Sequence, residues 1–509
     1  MTTAPPLAPP THPAPAAVAP PVASRMDRWR LPLLLLIALP LLCAELGQHY
    51  RWSSREIRHA EIIREMAASG EYVVPHLLGR LYPDKPPVMH VPAALLTRWH
   101  GEPSMAIARL PSAVSALVVL TATYLLGCRW LGPAAAWLGS LMLLSFPGFV
   151  NFGRQARPDM LLTAAILLAC LGLAYGLQPG RRWALGAFLA AGVAMGVAIV
   201  TKGPYGLLVP AFFLALAPLG DRAQWRWPRW CELVTLGMGA VAVAGGWAWL
   251  AYRADGGAYL AAVIFQRDLV TGSAAHAKPF YYYLGPVLAT TAPAGLLLPW
   301  VVIMVKRRGY SPAAAVALAV VALLSCVPGK RNHYLLPFWP FYALALAECV
   351  YYFTVTRPAW RRRCLYVIGL CLAGSLVYVT VGQQTGRQTG DPEWRFARQL
   401  AEVIPPEAPV VCHVIMAEPY AWTARRTVGL RETGSIAETR YWLNQARPGA
   451  YLVIARDQFD LLRQQRGVGR AQERLSFREP DGAEWLLCWY TAPGLESDTP
   501  SPRKGGPQP

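Results

Sequence analysis

Residues 107–204 read IARLPSAVSALVVLTATYLLGCRWLGPAAAWLGSLMLLSFPGFVNFGRQARPDMLLTAAILLACLGLAYGLQPGRRWALGAFLAAGVAMGVAIVTKGP. Four apolar runs, at about 107–127, 133–150, 160–177 and 183–200, are each long enough to cross a hydrocarbon core of about 30 Å. Most charges fall in the connections: Arg129, then Arg154, Arg157 and Asp159, then Arg181 and Arg182, then Lys202. The rest of the chain extends this pattern. Of 509 residues, 54% are hydrophobic and 15% charged, against about 25% charged in a soluble chain. With a mean hydropathy of +0.29 and 19 Trp, these values exclude a disordered protein, a small secreted scaffold and an ordinary cytosolic enzyme. The class is an integral membrane α-helical protein. A net charge of +19 would suggest nucleic acid in a soluble protein, but here the cations flank apolar runs and topology explains them, so no nucleic acid is expected as a partner. The 10 Cys form no C-x-x-C pair; most sit in apolar runs as small hydrophobes, and no metal or redox motif follows.

Residues 1–24, rich in Pro and Ala and without charge, read as a disordered cytoplasmic tail. Arg25, Arg28 and Arg30 then precede the apolar run Leu31 to Ala44. A cleaved signal peptide is the alternative reading, but Leu41, Leu42 and Cys43 are too bulky for a small-x-small cleavage site, and an uncleaved first span is expected. Further runs at about 204–219, 231–252, 280–304, 310–328, 334–352 and 364–381 bring the spans within residues 25–382 to about 11 to 13. From a cytoplasmic N-terminus, the inner connections hold Arg129; Arg181 and Arg182; Arg222, Arg226 and Arg229; Lys306, Arg307 and Arg308; and Arg357 with Arg361, Arg362 and Arg363. Every inner connection is basic, and one missed span would scramble that alternation. A multi-pass protein of the cell inner (plasma) membrane is expected. The outer side receives the long first loop, residues 47–103, short connections around Ala156, Thr201 and Gly329, a middle loop from Arg253 to Pro279, and everything after Val381.

From Gln383 the composition turns polar and mixed. Residues 383–494 read as a small extracytoplasmic α/β domain, with a helix Trp394 to Val403 and strands Val410 to Ile415, Tyr451 to Ala455 and Trp485 to Tyr490. Pro480, Asp481 and Gly482 mark a hairpin turn between Arg474 to Phe477 and the last strand. Cys412 and Cys488 lie on two of these strands, as a disulfide or as two buried free thiols. Residues 495–509 read as a disordered tail.

The first outer loop opens with YRWSSREIRHAEIIREM, residues 50–66, where Ile57, Ala60, Ile62 and Ile63 form an apolar stripe. The pattern predicts an amphipathic helix on the membrane surface, with Glu65 on a solvated face and Glu61 either there or functional. Further on, Asp84 and Lys85 precede Pro86 and Pro87, which hold the backbone extended. The two side chains are either a plain surface pair or a stiff presentation of acid and base to a phosphate and a hydroxyl. Asp159 in RPDM is either a helix-start residue favoured by the dipole or a functional carboxylate. Arg154, Arg157, Lys202, Lys330 and Arg331 are cations placed against the topological rule; they either snorkel or bind an anionic headgroup, and as a group they point to the headgroup. In PGKRNHYLLP, Lys330, Arg331, His333 and Tyr334 suit a phosphate or pyrophosphate. The middle loop adds Arg267, Asp268, His276 and Lys278, followed by Tyr281 to Tyr283, which read as an interfacial anchor.

The order of an acidic helix after the first span, DKPP, ARLPS (Ala108 to Ser112), RPDM, KGP and KRNHYLLP resembles the membrane glycosyltransferases of the protein O-mannosyltransferase and aminoarabinose (lipid A) transferase group, with the GT-C fold. The resemblance spans nearly the whole chain. It implies transfer of a sugar from a polyprenyl (undecaprenyl) phosphate carrier, with inversion, to lipid A or lipopolysaccharide, another envelope glycolipid, or protein. The family's first-loop pattern is Asp-Glu-x-Arg-Tyr-Ala-Glu, the Asp being the catalytic residue; here Arg55 stands in its place, followed by Glu56, Arg58, His59, Ala60 and Glu61. Either Glu56 takes over the acid or base work, or Asp84 or Asp159 does, or the protein is an inactive scaffold. Substrate-binding roles fall to Arg58, His59, Lys85, Arg157, Lys202, Arg267, His276, Lys330, Arg331 and Tyr334. No nucleotide fingerprint is present, which fits a lipid-borne donor; no cofactor is required, and a divalent cation shared by carboxylates and phosphate stays open. A lipid-linked sugar flippase is the rival reading, and it would place ionisable groups near the bilayer midplane.

Overall fold

The computed structural model describes residues 27–47, 54–219, 226–265, 277–354, 358–389, 392–414, 417–425, 429–446, 449–465, 467–478 and 482–493. A first helix, α1 (Asp27–Cys43), is followed by α2 (Ser54–Ser69), a small hairpin of β1 (His76–Leu77) and β2 (Arg80–Leu81), and α3 (His90–His100). The bundle then runs through α4 (Met105–Leu131), α5 (Pro133–Ser145), α6 (Pro147–Gly153), α7 (Pro158–Gly176), α8 (Ala184–Lys202), α9 (Tyr205–Leu216), α10 (Trp230–Asp255), α11 (Ala258–Phe265), α12 (Leu284–Thr290), α13 (Leu298–Arg308), α14 (Pro312–Cys326), α15 (Trp339–Thr354) and α16 (Pro358–Thr389). Four of the described helices, α4, α7, α8 and α10, are long and apolar enough to cross a membrane.

Two runs expected to be single spans are broken, in each case at proline, which lacks an N–H and weakens a helix interior. The run 133–150 bends by 71° between α5 and α6, where Pro147 opens the second helix. The run 280–304 is cut into a 3₁₀ turn (Phe280–Tyr283), α12, a second 3₁₀ turn (Ala294–Leu297) and α13, with Pro286, Pro293 and Pro299 at the joints. The final helix, α16, runs unbroken past Gln383, where the composition changes.

Of these four, α7 is the most buried, 72% along its apolar stretch, whereas α10 is 11% buried and lies at the periphery. What brings α10 against α8 is the absence of side chains. A Cβ on Gly192 would stand 2.1 Å from the Leu236 carbonyl oxygen and one on Gly196 2.8 Å from that of Ala240. This is the small-xxx-small packing of membrane helices, where contact depends on close backbones rather than on a hydrophobic drive. It orients α8, whose last residue is Lys202.

The C-terminal domain holds α17 (Pro392–Val403), β3 (Val410–His413), α18 (Ala417–Ala424), β4 (Leu430–Thr433), α19 (Ile436–Gln445), β5 (Gly449–Ala455), α20 (Arg456–Arg463), β6 (Arg470–Arg478) and β7 (Glu484–Thr491). Its sheet has the order β4-β3-β5-β7-β6. β3 is parallel to β4 and β5, and the expected β6–β7 hairpin is present; of its turn, Pro480 and Asp481 lie outside the described residues. Cys412 pairs across the sheet with Val453, whose partner on β7 is Leu487, while Cys488 faces Leu452. Successive side chains alternate faces, so the two cysteines point to opposite sides of the sheet. Both are free and buried.

The apolar stripe of α2 is covered by protein rather than left open to lipid. Ile57, Ala60, Ile62 and Ile63 pack inside the protein against Met89, Ala93, Met105, Ala108, Ala156 and Trp422. Glu65, expected on a solvated face, accepts from the backbone N–H of Leu78 at 2.6 Å and of Gly79 at 3.2 Å and pins the β1–β2 turn. Glu61 is fully buried against Arg64 at 2.6 Å.

Two outcomes are expected. Gly192→Val forces a side chain into the Leu236 carbonyl and lowers stability by at least about 3 kcal/mol, read as thermal unfolding in detergent. Alkylation of the unreduced, denatured protein modifies both Cys412 and Cys488, and reductant leaves the melting temperature unchanged.

Candidate active site

At the end of the bundle where α7 begins, the connections predicted to share the outer side converge. Pro158 opens α7 and leaves Asp159 in its first turn, 5% exposed. Its Oδ1 accepts from Lys202 Nζ at 2.6 Å. Arg157 Nε lies 3.3 Å from Oδ2, and His333 Nε2 lies 3.9 Å from Oδ1. Asp159 is therefore the hub of an ion cluster in addition to being a first-turn residue. The Lys202 ammonium also sits 4.6 Å over the Tyr334 ring, and Arg157 covers the Phe152 ring at 5.4 Å. The Tyr205 hydroxyl donates to the Tyr334 carbonyl at 2.8 Å. Burial foremost, then Lys202, Arg157 and Arg331, push the His333 imidazole down to about 3, against the pull of Asp159. Its ring is neutral near pH 7, and the cations outnumber the single carboxylate. An anionic headgroup is what such an excess of positive charge would hold.

Behind this cluster lies a buried clamp. Arg109 Nε donates to Glu56 Oε1 at 2.7 Å and Nη2 to Oε2 at 3.2 Å. Arg109 Nη1 reaches the Leu46 carbonyl at 2.8 Å, and the Ala156 N–H donates to Glu56 Oε1 at 2.9 Å. One carboxylate thus ties the first loop to α4 and to the strand of chain that delivers Arg157 and Asp159. Ser112 Oγ adds a bond to the Arg157 carbonyl at 3.0 Å. Arg109 is a residue that the sequence reading passed over, although a cation inside an apolar run is itself a signal.

A third group joins α2 to α3. His59 Nδ1 lies 2.9 Å from His90 Nε2. Burial, His90, Lys85 and Arg157 hold the His59 imidazole well below its usual range, opposed by Asp159, and burial pushes His90 down to about 4. Lys85 therefore belongs to the site's electrostatic field; its Nζ also reaches the Asp84 carbonyl at 3.1 Å. Asp84 is exposed and has no ion pair among the described residues.

Two expected ligands face elsewhere. Arg58 pairs with Glu418 of α18 at 2.9 Å and joins the first loop to the C-terminal domain. Lys330 is 4% exposed and donates to the carbonyls of Lys278 at 3.0 Å and Val327 at 2.6 Å, which ties loop to loop. Arg267 and His276 lie outside the described residues. In the expected aromatic anchor, Phe280 and Tyr281 are exposed but Tyr283 is buried, beside Arg331 and Tyr334. No three His, Cys, Asp or Glu side chains are grouped to hold a metal ion among the described residues.

A family profile described as dolichyl-phosphate-mannose-protein mannosyltransferase matches residues 84–249. The undecaprenyl phosphate-alpha-4-amino-4-deoxy-L-arabinose arabinosyl transferase 1 of Pseudomonas fluorescens is 27% identical over 75% of this chain and 68% of its own length. The corresponding enzyme of Aeromonas hydrophila is 30% identical, but the match spans only 64% of this chain and 60% of that relative. The crystal structure of ArnT from Cupriavidus metallidurans superposes with a TM-score of 0.73 at 19% identity, over 91% of this chain and 98% of that one. The form bound to undecaprenyl phosphate gives 0.71 at 18%, over 92% and 98%. By these matches the chain resembles the protein O-mannosyltransferase and aminoarabinose transferase group. Its fold is the GT-C-like membrane bundle of that group, with a small C-terminal α/β domain. Within the group's first-loop pattern, the residues that this chain alters, Arg55 and His59, flank the clamp residue Glu56.

Breaking a buried ion pair strands the partner charge. Glu56→Ala and Arg109→Ala should each lower stability by about 3–5 kcal/mol, and the double variant by less than the sum. The histidine pair sets a second expectation. His59 and His90 bind protons less tightly folded than unfolded, so stability is full above about pH 6.5 and falls as pH drops toward 4, by on the order of 3 kcal/mol for His90. Melting curves from pH 7 to 4 should flatten in His90→Gln.

Proposed function

We propose that the protein is an inverting glycosyltransferase that takes a sugar from a polyprenyl phosphate carrier and attaches it to an acceptor at the outer membrane face. The carrier is undecaprenyl phosphate and the sugar an aminoarabinose-type pentose, as named for the relatives. The acceptor is lipid A or another envelope glycolipid, or protein. The N-terminus is cytoplasmic and the C-terminal domain extracytoplasmic, since every predicted inner connection is basic.

The observation that carries the reading is the union of the Asp159 cluster with an apolar groove. A groove of about 730 Å³ runs between Tyr283, Val287, Val301, Phe338 and Tyr342. Tyr283 lines it and stands beside Arg331 and Tyr334 of the polar cluster. An anionic head and a prenyl tail can thus be held side by side. Lys202, Arg157 and Arg331 neutralise the departing phosphate in a site partly closed to water, where each charge counts for more. Asp159 holds Lys202 and Arg157 in place, and Glu56 positions the segment that bears Arg157 and Asp159.

The test is transfer of label from undecaprenyl-phosphate 4-amino-4-deoxy-L-arabinose to lipid A by the protein in nanodiscs. Lys202→Met should slow transfer about 10²–10³-fold. Lys330→Met should weaken folding more than turnover. No transfer by the unaltered chain would overturn the reading.

A further inference from the structure

Of the three carboxylates expected to act as acid or base, two are engaged by cations and the third, Asp84, is exposed. Arg55 stands where the family pattern has its Asp. Glu56 is gripped by Arg109 and the Ala156 N–H, and Asp159 is engaged by Lys202 and Arg157. A second departure lies four residues on, where His59 replaces the pattern's Tyr.

The contacts around His59 favour one tautomer. His90 is fully buried. Its Nδ1 is sealed and lacks a hydrogen bond of full geometry, with the Pro86 carbonyl as the acceptor in its neighbourhood. The proton of His90 is therefore best placed on Nδ1, toward that carbonyl. Its Nε2 is then an acceptor, and the 2.9 Å contact makes His59 Nδ1 the donor. The lone pair of His59 is left on Nε2, which bonds to no described residue and is not among the sealed atoms. The 6% exposure of His59 is consistent with an opening at that nitrogen. The charged groups in its field are Lys85 from the loop before α3, and Arg157 and Asp159 from the start of α7.

We infer that His59 is the catalytic base of the transfer, that His90 is its positioning residue, and that the acceptor is a hydroxyl rather than a phosphate. The inference rests on the transferase reading. An acceptor phosphate arrives ionised and needs no base; a hydroxyl does. Its oxygen bonds to the anomeric carbon, and the bond from that carbon to the carrier's phosphate oxygen breaks, the electron pair leaving with the phosphate. The hydroxyl proton passes to His59 Nε2 and returns to the released phosphate or to water. Asp159 offsets the transient imidazolium, while Lys85 and Arg157 speed its discharge. Both rings are neutral near pH 7, the form in which a base can act.

The experiment uses the full chain in nanodiscs, with undecaprenyl-phosphate 4-amino-4-deoxy-L-arabinose as donor probe and lipid A, which offers both hydroxyls and phosphates, as acceptor probe. His59→Gln should lower kcat about 10²–10⁴-fold with little change in donor KM. Added imidazole should restore turnover to His59→Ala, an effect that a purely structural residue would not show. His90→Gln should lower kcat about 10-fold and displace the acid limb of the pH profile without removing it. The product should be a glycoside stable to mild acid. The inference is overturned if folded His59→Gln turns over within about threefold of the unaltered chain, if Asp84→Asn abolishes transfer while His59→Gln keeps it, if imidazole restores nothing, or if the product is an acid-labile glycosyl phosphate. It also falls if the unaltered chain transfers but shows no acid limb, a readout independent of how the variants fold. No transfer at all by the unaltered chain removes the transferase reading and the inference together.

Discussion

A buried ion pair between Glu56 and Arg109 is the constraint on which the site depends. Neither charge reaches water: Glu56 is 2% exposed and Arg109 7%. Such a pair adds little net stability over an apolar replacement, but it is strongly directional. Here the direction sets the geometry of the cluster. The fork of Arg109 fixes the carboxylate of the first loop, and that carboxylate fixes the Ala156 N–H. Three residues further on is Asp159, which gathers Lys202, Arg157 and His333. The cluster is thus assembled by a chain of contacts from α2 through α4 to the starts of α7 and α15.

The small-residue seam between α8 and α10 acts on the same cluster from below. Lys202 must arrive 2.6 Å from a carboxylate, yet it sits at the far end of a helix whose grip on α10 involves backbone rather than side chains. With no hydrophobic drive to hold helices together in lipid, dispersion between close backbones does so.

The membrane class and the gathering of Arg157, Asp159, Lys202, Arg331 and Tyr334 at one end of the bundle were legible because both follow from charge against apolar run, a signal summed over many residues. Partner choice was not. Glu56 reads as a free acid from its place in a motif, and Lys330 as a phosphate ligand from its neighbours in sequence. In the fold, an arginine 53 positions away claims the first, and two carbonyls claim the second. Periodicity showed that α2 is amphipathic, but a helix with one apolar face looks the same whether lipid or protein covers it. The strand β4, LRET, is too short and polar to register before its parallel partner β3 is known. The proline breaks at 147 and within 280–304 were visible in the sequence and were overruled by the length of the apolar runs.

The pairing of Arg58 with Glu418, beside Trp422 in the cluster around α2, has a mechanical corollary. Glu56 anchors α2 to the bundle and Arg58, two positions along, anchors it to the C-terminal domain, with His59 next in line. A tether at each of these points leaves the helix no independent play. The position of the distal module and the orientation of the imidazole are therefore set by one and the same rigid helix.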